Sequence, residues 1–124
     1  MLRAFTSILC SAPEQSAAFY QSLFGLERTF SSDWFVVLAS RTTPGFELGL
    51  FKRDHELVPT GFQKPPAGAL LTFVVEDCDA LYEQALERGL SIVEPPRDLF
   101  YGQRRWLLTD LDGTLIDVSS PIPR

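Results

Sequence analysis

Histidine is almost missing from this chain: His55 is the only one in 124 residues. Its scarcity takes away the usual nitrogen ligand for zinc, nickel or iron and the commonest general base. Cysteine is nearly as scarce. Cys10 and Cys78 are too few and too far apart for a disulfide framework or a CxxC metal knuckle, so both read as buried thiols. Neither has a histidine neighbour in sequence, so neither is a nucleophile candidate. No apolar run approaches the roughly 18 residues needed to cross a bilayer, and the N-terminal MLRAFTSILCSAPEQ lacks the apolar core of a signal peptide. The expectation is a cytoplasmic chain with no membrane partner. Positive charge is also in short supply. With 11 Lys and Arg against 16 Asp and Glu, the net charge of −5 repels phosphate backbones, which argues against nucleic acid and favours a cationic small molecule.

What is present suits one globular domain: 45% hydrophobic and 22% charged residues, with the apolar content in short runs. AFTSILC (4–10) reads as a strand. Pro13 lies in the first turn of a helix capped by Ser11 or Ala12, and Gly25 closes it. Within it Ala17, Phe19, Tyr20, Leu23 and Phe24 recur at helical spacing and mark a buried face. Strands follow at 33–40 and 46–51, joined by the turn chemistry of RTTPG, with a shorter strand at 26–30. Residues 54–68, rich in proline, read as a linker or flap that carries His55 as a solvated loop residue. The order then begins again, with a strand at 69–76, a helix at 77–89 capped by Asp77 and ended by Gly89, a short strand at 90–93 and a closing hairpin. The halves align at an offset of about 65 residues, so the unit is duplicated. The expected organisation is a single domain over 1–124, with module 1 at about 1–53, the linker at 54–68 and module 2 at 69–124.

The hairpin contains a motif open to two readings. WLLTDLDGTLIDVSS is similar to the nucleophile strand of haloacid dehalogenase phosphatases, which makes Asp110 a nucleophile and Asp112 an acid. That chemistry also needs a further parallel-sheet domain with a lysine and more carboxylates, for which the chain to Arg124 leaves no room. Asp-Leu-Asp-Gly between apolar strands is, by contrast, ordinary hairpin chemistry, with Gly113 taking positive φ. A three-residue loop, 111–113, sets Leu107 opposite Asp117, Arg105 opposite Ser119 and Thr109 opposite Leu115. Trp106, Leu108, Ile116 and Val118 then share the other, apolar face. The mixed face suits the lining of a ligand cavity, with a solvated sheet face as the competing reading.

The duplicated unit, the helix text AAFYQSLFGLE, the later VVEDCDALYEQALERG and the closing DLDGTLIDV together resemble the vicinal oxygen chelate superfamily of glyoxalases, extradiol dioxygenases and bleomycin-resistance proteins. The resemblance spans nearly the whole chain. It implies an α+β fold of two tandem βαβββ modules, whose mostly antiparallel sheets curve into a trough with helices on the outer face, commonly within a homodimer. Metal-using members take ligands from the first and last strands of each module. Carried over by position, those sites are Phe5 and Leu70 on first strands and about Glu47 and Asp117 on last strands. Two carboxylates without imidazole partners are poor ligands for zinc, nickel or iron.

The resemblance therefore points to a metal-free, cofactor-free binder of a small organic molecule, closest in style to bleomycin-resistance proteins. Phe5, Trp34, Phe35, Phe62 and Tyr101 offer stacking surfaces for a cationic aromatic compound, although core packing is the competing fate of each. Glu47 and Asp117 offer negative charge. Ser7, Leu70, Thr72, Arg105 and Leu107 complete the expected lining. The alternative is a lyase or isomerase of the same superfamily with Asp117 or Glu47 as base, and the phosphatase reading of DLDGT stands last.

Overall fold

Short β-branched and aromatic runs, broken by Gly, Pro and Asp, fold into eight strands and two helices in the computed structural model, which describes residues 1–123. In order these are β1 (Thr6–Cys10), α1 (Pro13–Phe24), β2 (Glu27–Ser31), β3 (Phe35–Ala39) and β4 (Glu47–Lys52). After a single 3-10 turn (Thr60–Phe62) come β5 (Leu70–Val74), α2 (Cys78–Glu87), β6 (Ile92–Asp98), β7 (Gln103–Thr109) and β8 (Leu115–Pro121). The βαβββ order thus occurs twice. The chain divides into two compact units, Met1–Pro66 and Ala67 onward, which places the proline-rich segment with the first unit.

In the first unit the sheet order is β1-β4-β3-β2, with β1 parallel to β4 and the other pairs antiparallel. Alternation along each strand sends Ile8, Cys10, Val36, Leu38, Leu48 and Leu50 to one face, all of them buried, where α1 covers β3 and β4. On the helix side Pro13, Ser16, Ala17, Phe19, Tyr20 and Leu23 are buried. Each such aliphatic side chain contributes about 1.5–3 kcal/mol. Ala12 is the residue that caps α1, and it supplies no side-chain bond; Gly25 ends the helix at φ 66°, its N–H bonding to the Gln21 carbonyl.

The second unit repeats the pattern as β5-β8-β7-β6, with β5 parallel to β8. Asp77 caps α2, its carboxylate accepting from the Ala80 N–H at 3.1 Å. Trp106, fully buried on the helix-covered face, donates its indole N–H to the Cys78 carbonyl at 2.7 Å and meets Tyr82 edge-on. The hairpin register is the expected one, with Leu107 paired to Asp117, Arg105 to Ser119 and Thr109 to Leu115. The Asp110 side chain accepts from the N–H groups of Asp112 and Thr114, both at 2.9 Å, and Gly113 takes φ 90°. In DLDGT the first aspartate is therefore a turn-forming residue.

The strand after α2 is longer than its apolar text LSIV suggests, running through Pro95 and Pro96 to Asp98. As the edge of its sheet it tolerates prolines, and its pairing with β7 slips twice, between Ile92 and Glu94 and between Glu94 and Arg97.

Candidate ligand-binding faces

Each sheet has a second face that its own helix does not cover, and the candidate residues gather there. In the first unit, Ser7, Phe35, Val37, Glu47, Gly49 and Phe51 share this face by strand alternation and register. Gly49 sits at its centre because nothing larger fits. A Cβ there would collide with Ser7 Oγ and press on the Phe35 and Phe5 rings at 3.0 and 3.2 Å.

Around Gly49 the aromatic side chains form a continuous chain of contacts. Phe35 lies 6.4 Å from Phe5, 6.0 Å from Phe30, 5.2 Å from Phe51 and 5.8 Å from Trp34 by ring centroid. Trp34 in turn stacks on His55 at 4.3 Å, with the ring planes 22° apart. His55 is therefore a half-buried loop residue with its ring on Trp34 rather than a freely solvated one. Its Nδ1 accepts from the Leu57 N–H at 3.1 Å, which leaves the proton of the neutral ring on Nε2. Beside this stack lies an open cavity of about 390 Å³, lined by Trp34, His55, Lys52 and three carboxylates, Asp33, Asp54 and Glu56.

Glu47 is already engaged. Arg3 grips it with two hydrogen bonds, 2.7 Å from Nε and 2.5 Å from Nη2, and lays its guanidinium 4.7 Å over the Phe5 ring. Those hydrogen bonds, helped by the charge of Arg3, hold the Glu47 carboxyl below its ordinary pKa.

The second unit's open face is polar at its centre. Thr72, Asp117, Leu107 and Glu94 form one row across β5, β8, β7 and β6, and Val74, Ser119, Arg105 and Arg97 form the next. Asp117 is only 6% exposed. Thr72 Oγ1 donates to its Oδ2 at 3.3 Å, while Oδ1 has no hydrogen-bond partner. Burial raises the Asp117 pKa, opposed by the nearby Arg105 charge and by the Thr72 hydroxyl. Arg105 Nε and Gln103 Oε1, on the same face of β7, are likewise buried without partners.

The twelve residues named from sequence thus fall into three groups. Phe5, Ser7, Trp34, Phe35 and Glu47 come together in the first unit, and Leu70, Thr72, Arg105, Leu107 and Asp117 in the second. Phe62 and Tyr101 lie off the sheets, in the 3-10 turn and between β6 and β7, both with exposed rings. Arg3, Phe30, Gly49, Phe51 and His55 belong to the first face without having been named for it. The alternation Glu47, Gly49, Phe51 was signal enough for two of them, whereas nothing in the N-terminal residues marks Arg3. Among the described residues, no group of three or more His, Cys, Asp and Glu side chains is placed to hold a metal ion.

The profile of the glyoxalase/bleomycin resistance protein/dioxygenase superfamily matches residues 4–118, from just before β1 into β8. The chain belongs to this superfamily. Solved members superimpose along nearly its full length. One from Burkholderia phytofirmans, described as a family enzyme, gives a TM-score of 0.81 at 21% identity, over 95% of this chain and 97% of that one. A member from Sphaerobacter thermophilus gives 0.77 at 22%, over 97% of each chain. A lactoylglutathione lyase from Agrobacterium tumefaciens gives 0.69 at 16%, over 97% and 94%. At such identities these superfamily structures establish the fold alone. No curated protein sequence matches the chain. No helix among the described residues is long and apolar enough to cross a membrane.

Proposed function

We propose that this superfamily member binds a small organic molecule, aromatic and cationic in character, on the open faces of its sheets and without a transition metal. The observation that carries this reading is the run of aromatic contacts from Phe5 and Phe30 through Phe35 and Trp34 to His55, ending at a cavity rimmed by three carboxylates. Aromatic faces attract cations, and the surrounding carboxylates add charge of the right sign.

The metal-free part of the proposal rests on the donor set. Phe5 and Leu70 offer no lone pairs, Glu47 is occupied by Arg3, and Asp117 has only the Thr72 hydroxyl as an oxygen neighbour bonded to it. A homodimer in the cytoplasm completes the reading. It is in keeping with two buried cysteines that form no disulfide and with the assembly that the family resemblance implies.

A thermal-shift screen of chelator-treated protein against cationic aromatic compounds and thiol conjugates tests this reading. Saturable stabilisation by the cationic aromatics without turnover is expected. Stabilisation confined to the thiol conjugates, or only in the presence of added metal, contradicts it.

One observation favours a second reading, in which Asp117 is the base of a lyase or isomerase. Its carboxyl is buried, raised in pKa and close to a guanidinium, as suits a general base. Consumption of a substrate that Asp117→Asn abolishes is the result that selects this reading over simple binding.

A further inference from the structure

Four buried side-chain atoms among the described residues have no hydrogen-bond partner: Gln103 Oε1, Arg105 Nε, Thr114 Oγ1 and Asp117 Oδ1. Three of the four lie on one surface, the open face of the second unit. Unpartnered polar atoms are costly in a folded chain, the more so when charged, so their concentration on one face points to a ligand that answers them.

The register defines what that ligand meets. Arg105 pairs with Ser119 and Leu107 with Asp117, so Arg105 and Asp117 are diagonal neighbours on adjacent strands. Diagonal neighbours lie about 7–8 Å apart at the backbone, within reach of each other's long side chains. The face therefore offers one buried donor, Arg105 Nε, beside one buried acceptor, Asp117 Oδ1. Gln103 Oε1 adds an acceptor one step further along β7.

Ligand chemistries differ sharply in how they answer such a pair. An ammonium satisfies Asp117 but sits against the Arg105 charge and leaves Nε unanswered. A carboxylate satisfies Arg105 and is repelled by Asp117. A ketone or ether accepts from Arg105 and leaves Asp117 Oδ1 as it was. A carboxamide, neutral and carrying a carbonyl oxygen next to an N–H, answers both at once.

We propose that the second unit's open face recognises a carboxamide, whose carbonyl oxygen accepts from Arg105 Nε and whose N–H donates to Asp117 Oδ1. The proposal rests on the binding function argued above and names the part of the ligand that this face takes. The charge of Arg105 acts on both Asp117 and Glu94, and its Nε has no hydrogen-bond partner of its own.

Two matched pairs of compounds test this on the unaltered protein. One pair is cationic, 1-methylnicotinamide and 1-methyl-3-acetylpyridinium; the other is neutral, benzamide and acetophenone. Within each pair the ring and carbonyl are kept and only the amide N–H is lost. Titration followed by amide NMR shifts is expected to show each amide binding about tenfold or more tightly than its ketone, with the largest shifts on β7 and β8. The preference is expected to collapse in Asp117→Ala. Equal affinity within both pairs, or shifts that spare β7 and β8, overturns the proposal. If the cationic ketone binds as well as the cationic amide, the carboxamide inference fails while the aromatic-cation reading stands. If benzamide beats acetophenone on β7 and β8 while neither cationic compound binds, the carboxamide inference stands and the aromatic-cation reading fails.

Discussion

The two units share an order of elements and little of their chemistry. Residues 1–66 hold ten of the fifteen aromatic residues and carry six acidic and six basic side chains, so the first unit is neutral. Residues 67–124 hold ten acidic and five basic side chains, and the whole net charge of −5 resides there. The open faces follow the same division. In the first unit the face is built of rings, and its one carboxylate, Glu47, is already neutralised by Arg3. In the second the face is polar, and Asp117 keeps an oxygen without a partner. A duplicated scaffold has thus given one surface suited to stacking and another suited to hydrogen bonding and charge.

Register shows how the difference arises. The parallel pairings set Ser7 opposite Gly49 in the first unit and Thr72 opposite Asp117 in the second, each small hydroxyl residue standing beside the middle of the last strand. Where the second unit has a carboxylate, the first has no side chain at all. The missing side chain is what lets Phe5 and Phe35 close over the strand.

The largest expected effect lies beneath the second face. Trp106→Ala removes a fully buried ring and leaves the Cys78 carbonyl without its indole donor, so a loss of about 3–5 kcal/mol is expected in urea unfolding. A loss under about 1 kcal/mol contradicts the place given to Trp106 in that core. Next comes the difference between the faces themselves. Gly49→Ala drives a methyl group into Ser7 Oγ and two rings, at a cost of about 1–3 kcal/mol, and Ser7→Ala in the same chain is expected to recover part of it. Strict additivity of the two changes in thermal melts contradicts the close approach.

The two carboxylates are expected to respond to pH with opposite signs. Asp117 has a raised pKa, so the folded state holds its proton to higher pH than the unfolded chain does. Its contribution to stability therefore falls as pH rises from the ordinary carboxylate value through the raised one. Asp117→Asn is expected to melt a few degrees higher at neutral pH, with the gain disappearing once the pH drops below the ordinary carboxylate value. Glu47 has a lowered pKa, and its stabilisation, present above the ordinary value, is lost as pH falls through the lowered one. Glu47→Gln is expected to cause the smallest change of all, a slight destabilisation at neutral pH that vanishes in acid and in high salt, because the pair with Arg3 is solvent-exposed. Calorimetric melts of both variants across pH show whether the signs differ; the same sign for both removes the electrostatic distinction between the faces.

Much of the fold was legible in the chain because its local signals agree. Gly25 ends the first helix, Gly89 takes positive φ just past the Arg88 cap of the second, Asp77 caps that helix at its start, and Asp110 with Gly113 makes the turn that sets the β7–β8 register. The strand β6 was only partly legible, since two prolines conceal an edge strand that needs no full hydrogen-bond ladder. The site was less legible still. Alternation marked Asp117, Arg105 and Leu107 as sharing a face, but it carries no information on contacts between segments distant in sequence. Arg3 reaching Glu47 and His55 lying on Trp34 are tertiary facts of that kind.

Ligand binding without a transition metal is tested most directly by calorimetric titration of zinc, nickel and ferrous iron into chelator-treated protein, with elemental analysis of the protein as purified. The expected result is no tight stoichiometric uptake and no bound metal. Uptake of one equivalent per chain, weakened by Asp117→Asn or Glu47→Gln, contradicts it.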